Sequence, residues 1–288
     1  MIFLIDTVKK KTLLSFILFI SFLAQAQTLN VMTFNVRYST LADSANAWIY
    51  RQDKVTSQIL FHEADIIGIQ EALHSQVMDM QKVLPAFKYV GVGRTDGKQE
   101  GEYSAIFYNA KKLKVLESKT FWLSETPTVA GSKSWDAAIT RIVTWAKFKE
   151  IKTNKTFFVF NTHFDHIGKL ARRESAKLLL RKIDEIAGKS SVIVTGDFNA
   201  TPGDEPVQVL VNAEDRLKIT DTKFISQQPH YGPTGTFNGF GSKEINDEPI
   251  DYIFIKNGFK VLKHATLSQT WQGLFSSDHF PVFATLAF

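Results

Sequence analysis

Short β-rich runs alternate with helical repeats from residue 29 to residue 286, and many of the runs stop at a polar cluster. Runs rich in branched and aromatic residues read as strands over Leu29–Val36, Asp65–Gln70, Tyr103–Tyr108, Val115–Trp122, Ile139–Phe148 and Thr156–Phe164. Ser191–Gly196, Ile250–Ile255, Phe259–Leu267 and Phe280–Leu286 read the same way. Gln52–His62 sets Val55, Ile59 and Leu60 on one helical face. Lys169–Ala187 repeats Ala176, Leu179, Leu180, Ile183 and Ile186 at helical spacing, with Gly188 placed to end it. Such interleaving predicts a mixed α/β domain with helices covering sheet faces. Ser124–Ala138 and Gln227–Asn246 read as long loops, and long loops in compact domains are often functional. With no internal repeat or Pro-rich linker, residues 27–288 are expected to form a single domain.

The N-terminus reads as a separate unit. Lys9, Lys10 and Lys11 precede an apolar run from Thr12 to Leu23, and Ala24-Gln25-Ala26 supplies a small-residue cleavage site. The run is short for a membrane span. Residues 1–26 are therefore expected to be a signal peptide, and the mature chain a secreted or periplasmic protein without a stable membrane anchor. No Cys is present to take a lipid or a disulfide, so the mature core must suffice by itself. Hydrophobic residues make up 44%, with 24 Phe, ample for such a core. Cleavage removes three Lys and one Asp and lowers the net charge from +5 to +3. That balance tolerates an anionic substrate and permits, without demanding, a nucleic-acid partner.

The strand ends carry the chemistry. Leu29–Phe34 ends at Asn35, Ile66–Ile69 at Gln70-Glu71, Phe157–Phe160 at Asn161-Thr162-His163, and Val192–Val194 at Gly196-Asp197-Phe198-Asn199. Ser277-Asp278-His279 leads into the final strand. A buried carboxylate at a strand end costs desolvation unless it is paired or metal-bound. Several such ends on one rim can build an oxygen-rich cation site. Without thiolates, carboxylates and Asn amides suit Mg²⁺, Mn²⁺ or Ca²⁺.

The motifs TFNVR, IGIQEAL, NTHFDH, GDFNATP, IDYIF and SDHFPV, in this order, resemble the endonuclease/exonuclease/phosphatase superfamily over Val31 to Phe283. WLSETP, SWDAAITR and GEYSAIFY look like a secreted bacterial branch near its deadenylase-type members. The resemblance implies a four-layer α/β sandwich, two packed mixed sheets with helices outside, and Mg²⁺-dependent hydrolysis of phosphate esters by a monomer. It implies that Asn35 and Glu71 hold the metal, with Asp278 completing the site directly or through water. His163 would donate to a phosphate oxygen. Asp197 and Asn199 would bind and orient the attacking water and the phosphate. Asp251 would hold His279 beside the phosphorus. Either Asp197 or His279 could take the water's proton, and one metal ion or two is equally open. Arg141 would contact substrate phosphate. Trp48, Arg51 and Glu102 are further candidates. The His of NTHFDH departs from the apurinic-endonuclease pattern.

Each residue also has an ordinary explanation. Asn35 can end a strand in an Asx-turn, Glu71 can open a helix near Ala72, and Asp251 can pair with a surface Lys. His62, His74, His230 and His264 read as structural or exposed, and His166 can face the pocket. Lipid hydrolysis would need an exposed apolar tip, for which Gly235–Phe240 is the candidate. An extracellular nuclease and a non-catalytic binding module on the same fold are the competing functions.

Overall fold

The structure, a computed structural model, describes residues 28–241 and 248–288. The expected signal peptide, and the end of the Gln227–Asn246 loop, lie outside the described residues. In chain order the strands are β1 (Thr28–Asn35), β2 (Ile66–Gln70), β3 (Phe87–Val90), β4 (Ile106–Asn109), β5 (Leu113–Trp122), β6 (Ile142–Glu150) and β7 (Thr156–His163). They continue with β8 (Val192–Asp197), β9 (Thr220–Asp221), β10 (Asp251–Lys256), β11 (Lys260–Thr266), the short β12 (Thr270–Trp271) and β13 (Leu274–Phe275), and β14 (Val282–Ala287). The helices are α1 (Gln52–Phe61), α2 (His74–Val83), α3 (Lys169–Ala187) and α4 (Glu205–Val211).

Two six-stranded mixed sheets result, in the orders β11-β14-β1-β2-β4-β3 and β5-β6-β7-β8-β10-β9. Each contains one parallel pair at its centre, β1 with β2 and β7 with β8. Strand alternation decides what lies between the sheets. Val31 of β1, Ile66 of β2, Val159 of β7, Ile193 of β8 and Ile253 of β10 share one buried cluster between them. The alternate residues face outward. Met32, Phe34, Ile67 and Ile69 pack under Val55 and Ile59 of α1 and Val77 and Met80 of α2. Phe158, Phe160, Val192 and Val194 pack under Leu179 and Ile183 of α3 and Leu210 of α4. The four layers match the expected sandwich.

Along each central strand the inward residues change from apolar to polar. Val31, Thr33 and Asn35 follow one another on β1, and Val159, Asn161 and His163 on β7. On β8 the series is Ile193, Thr195, Asp197. At the middle level Asn161 Nδ2 donates to the carbonyls of Ile69 and Ala105 at 2.8 and 2.9 Å. Its Oδ1 accepts from Gln70 Nε2 at 2.7 Å and Thr195 Oγ1 at 3.0 Å. A Cβ at Gly68 would sit 2.1 Å from Thr195 Oγ1 and 2.5 Å from Asn161 Oδ1. Only Gly lets the two sheets approach closely enough to make this polar floor.

Several boundaries differ from expectation. Tyr103 makes isolated bridges to Ala72 and Gly93, and the strand begins only at Ile106. Ile139 N–H donates to Asp165 Oδ2 at 3.1 Å, so Ile139–Arg141 is drawn out of β6. The helix expected near Ala72 starts at His74, after Glu71 has turned through a left-handed φ of 65°.

Candidate active site

The sheet registers set the site. His163, Asp197 and Asp251 are lateral neighbours across β7, β8 and β10. Asn35 and Gln70 are neighbours across β1 and β2, and Glu71 follows directly. The segment entering β14 brings in Asp278 and His279. Arg37, Glu71 and Asn199, each just past a strand end, have φ of 55°, 65° and 47°. This left-handed turn is strained for Arg and Glu, by about 1–3 kcal/mol each, and strain of this kind concentrates at functional sites.

Asp251 and His279 form a tight pair. His279 Nδ1 donates to Asp251 Oδ2 at 2.9 Å, and Thr236 Oγ1 donates to the same oxygen at 2.6 Å. Burial disfavours charge on His279, but Asp251 and Asp197 outweigh it and raise its pKa well above the ordinary value. Its Nε2 lies 3.8 Å from Asp197 Oδ2. Asp197 is buried and close to the Asp251 charge, which together push its pKa up to about 7. Its Oδ1 accepts from Asn199 N–H at 2.9 Å, and its Oδ2 from Asn35 Nδ2 at 3.0 Å.

Asn35 and His163 each have one side-chain atom engaged within the site. Asn35 turns its amide nitrogen, not its oxygen, into the site: Nδ2 donates to Glu71 Oε1 at 2.9 Å, while Oδ1 accepts from Arg37 N–H at 3.0 Å. These contacts orient Glu71 and Asp197. His163 Nε2 accepts from Asn199 Nδ2 at 3.0 Å, while its buried Nδ1 has no hydrogen-bond partner. Burial first, and then the charge of Arg141, lower its pKa well below the ordinary value, so it is neutral. Asn199 gives its other amide hydrogen to Phe164 O at 3.0 Å, leaving Oδ1 available.

Glu71, His163 and Asp197 each present an atom within 4.8 Å of the others. Glu71 and Asp278 both approach the Arg37 guanidinium, at 3.9 and 3.8 Å. The close approach of Glu71, His163 and Asp197, without thiolate, fits a hard divalent cation.

Arg141 is 4% exposed, and its Nε and Nη1 have no hydrogen-bond partner. Nη2 lies 3.2 Å from His166 Nδ1, and Nε 3.8 Å from Asp165 Oδ2. Asp165 itself is occupied by the N–H groups of Ile167 and Gly168, so it caps a turn. An unsatisfied buried donor costs about 1–3 kcal/mol, so these two suit an anion. Arg141, Glu71, Asp197, Asn199, Asp278 and His279 line one cavity of about 360 Å³.

Sequence reasoning overlooked Arg37, although it closes the TFNVR motif. It also left Trp48 and Arg51 without roles. Arg51 is buried and donates to the carbonyls of Val36, Arg37, Asn46 and Ser276, tying the ends of β1 to the segment before β14. Trp48 joins the α1–α2 core, with Nε1 donating to Asp79 at 2.9 Å. Gly235–Phe240 forms no exposed apolar tip. Phe237 packs edge-on to His279 with centroids 5.0 Å apart, and Phe240 lies under Arg51. Asp251 pairs with His279 rather than with a surface Lys.

Comparison with known proteins places this geometry. The model of the Endonuclease/Exonuclease/phosphatase family matches residues 32–279. An endonuclease/exonuclease/phosphatase from Bacteroides vulgatus is 41% identical, with TM-score 0.87, over 91% of this chain and 99% of that one. A mannosyl-6-phosphatase from Bacteroides thetaiotaomicron is 38% identical, with TM-score 0.86, over 90% of this chain and all of that one, 100%. Nocturnin of Drosophila melanogaster is 25% identical over 83% of this chain, which spans 42% of that protein.

Proposed function

The chain belongs to the endonuclease/exonuclease/phosphatase family, whose members are divalent-metal-dependent hydrolases of phosphate esters, and we propose that it is a secreted Mg²⁺-dependent phosphatase of small soluble phosphate esters. The observation that carries this reading is the convergence of Glu71, Asp197, Asn199, Asp278, Arg141 and the Asp251–His279 pair on one small cavity. The likeness to a mannosyl-6-phosphatase supports a monoester over a polymer.

Glu71 and Asp278, with Asp197 beside them, would hold the cation. Bound there, it would neutralise phosphoryl charge and stabilise the leaving oxygen. Arg141 donates its free N–H groups to the phosphoryl group. Asn199, its amide fixed by His163 and Phe164 O, offers Oδ1 to the attacking water. Asp197 accepts that water's proton. His279, kept charged by Asp251, donates from Nε2 to a phosphoryl oxygen as negative charge gathers there. Residues 1–26 serve as the export signal, and residues 27–288 as the single catalytic domain.

Turnover of p-nitrophenyl phosphate and mannose 6-phosphate with Mg²⁺, abolished by EDTA and restored by added metal, is the expected result. Folded protein that hydrolyses no phosphate ester with Mg²⁺, Mn²⁺ or Ca²⁺ would overturn the reading and favour a binding module. Turnover confined to RNA or DNA would favour a nuclease.

A further inference from the structure

We infer that Arg94 and Glu102 form a hydroxyl-reading subsite for the leaving group, and that this group is a hexose carrying its phosphate ester. The inference rests on the phosphatase reading and deepens it. Glu102 lines the same cavity as Arg141 and Asp197. Arg94 joins Glu102, Arg141 and His163 around a small adjoining recess. Arg94 Nη1 and Nη2 donate to the two carboxylate oxygens of Glu102 at 2.7 and 2.8 Å.

The pair is held rigidly. Arg94 and Glu102 face each other across a tight loop in which Arg94 N–H donates to Glu102 O at 3.1 Å and Thr95 N–H to Glu100 O at 3.0 Å. Trp122 Nε1 fixes Arg94 O from behind at 2.7 Å. A Cβ at Gly93 would lie 2.2 Å from Glu100 O, so this closeness is written into the loop's sequence. Both side chains retain some exposure, 15% and 17%. Each carboxylate oxygen keeps a lone pair beyond those given to Arg94, and the guanidinium keeps N–H groups beyond the two it spends. Spare acceptors beside spare donors match a hydroxyl, which both gives and takes a hydrogen bond. Two fixed in a row match adjacent hydroxyls on a ring.

The rest of the cavity favours a hexose over a nucleotide. About 360 Å³ lies near the small end of ligand pockets, about 300–1,000 Å³. Bases are held by stacking on aromatic faces. Besides the imidazoles of His163, His166 and His279, the aromatic rings lining this cavity belong to Tyr38 and Phe237. Tyr38 has the Arg37 guanidinium 4.2 Å from its ring centroid, and Phe237 is engaged with His279.

The test compares kcat/KM for mannose 6-phosphate, glucose 6-phosphate, AMP and p-nitrophenyl phosphate, which lacks ring hydroxyls, in the wild type and in Glu102→Gln and Arg94→Met. Wild type preferring the hexose phosphates, with their advantage over p-nitrophenyl phosphate falling at least tenfold in both variants, is the expected result. Parallel losses on every ester would overturn the inference by reducing the pair to a structural support. So would an undiminished preference, or AMP outpacing the hexoses. Any of these leaves the phosphatase reading standing. Were no ester turned over at all, calorimetric titration with mannose 6-phosphate would still decide: binding weakened at least tenfold in Glu102→Gln supports the subsite, and equal or absent binding overturns it.

Discussion

His279 Nδ1 lies 2.9 Å from Asp251 Oδ2, while the other oxygen of Asp251, buried, has no hydrogen-bond partner. The carboxylate is thus spent on one imidazole and on Thr236. Asp251→Asn removes the charge that keeps His279 protonated, and kcat should fall about 10²–10⁴-fold, the range for a positioned acid or base. Thr236→Val, which frees the carboxylate to rotate, should cost less, about tenfold. Steady-state kinetics beside circular dichroism decide. Folded Asp251→Asn with near wild-type kcat would remove the pair from the mechanism.

Arg141 should trade stability for activity. Its buried guanidinium keeps two orphaned donors. Arg141→Met replaces it with an apolar chain of similar reach, so stability should be unchanged or up to about 2 kcal/mol higher, because a buried charge without full pairing is rarely stabilising. Activity should fall at least a hundredfold, mostly in kcat/KM. Urea denaturation and kinetics on the same sample check both halves, and a large loss of stability would show that the cation braces the fold instead.

What could be read from sequence follows from range. The ends of β1, β2, β7 and β8 were legible because apolar alternation stops there at a polar residue, and the superfamily resemblance gave those ends roles. The pairing of Asp251 with His279 came with the resemblance as well. Which atoms Asn35 and His163 turn toward the site was not legible, since the direction of an amide or the engaged ring nitrogen depends on neighbours from other strands. α2 was read only as an alternative explanation for Glu71, because its buried face is only Gln76, Val77 and Met80. Arg37 and Arg94 were invisible because a lone Arg in a loop carries no period. Arg94 becomes meaningful only opposite Glu102.

Asn161 belongs to the NTHFDH motif yet lies below the site, where it satisfies two backbone carbonyls and accepts from Gln70 and Thr195. Asn161→Leu takes a donor from Ile69 O and Ala105 O, but Ala105 O keeps the N–H of Ile69, Gln70 Nε2 keeps Thr33 Oγ1 and Gly68 O, and Thr195 Oγ1 keeps Phe160 O. The cost is therefore that of about one orphaned group, and a loss of about 1–3 kcal/mol in urea titrations is expected. A loss under about 1 kcal/mol would mean the sheets dock without this network.

Acid stability should reveal two opposed groups at one buried recess. His264, desolvated and beside His230, has a pKa lowered to about 3. Its unfolded form takes a proton near 6.5, so its contribution is lost as pH falls below that value, by about 2 kcal/mol at pH 5. Asp221, also desolvated, is raised to about 6. Its contribution is fully present below 3.8 and lost as pH rises through about 6, so acidification from pH 7 to 5 returns about 1 kcal/mol. Wild-type stability should therefore change little over that interval. Asp221→Asn should become acid-sensitive, and His264→Gln should become more stable toward pH 5. Identical slopes in all three proteins would contradict the assignment.

The seam between the sheets carries a consequence for biogenesis. Asp251 stands on one sheet and His279 on the approach to the other, whose first strand, β1, pairs with the last, β14. A growing polypeptide can pair β1 with β2 and assemble β5 through β10 before β14 is made. Until then the imidazole has no carboxylate and Glu71 has no Asp278. On the proposed mechanism the two halves of the site meet only when β14 pairs with β1, so a chain lacking β14 should be without activity.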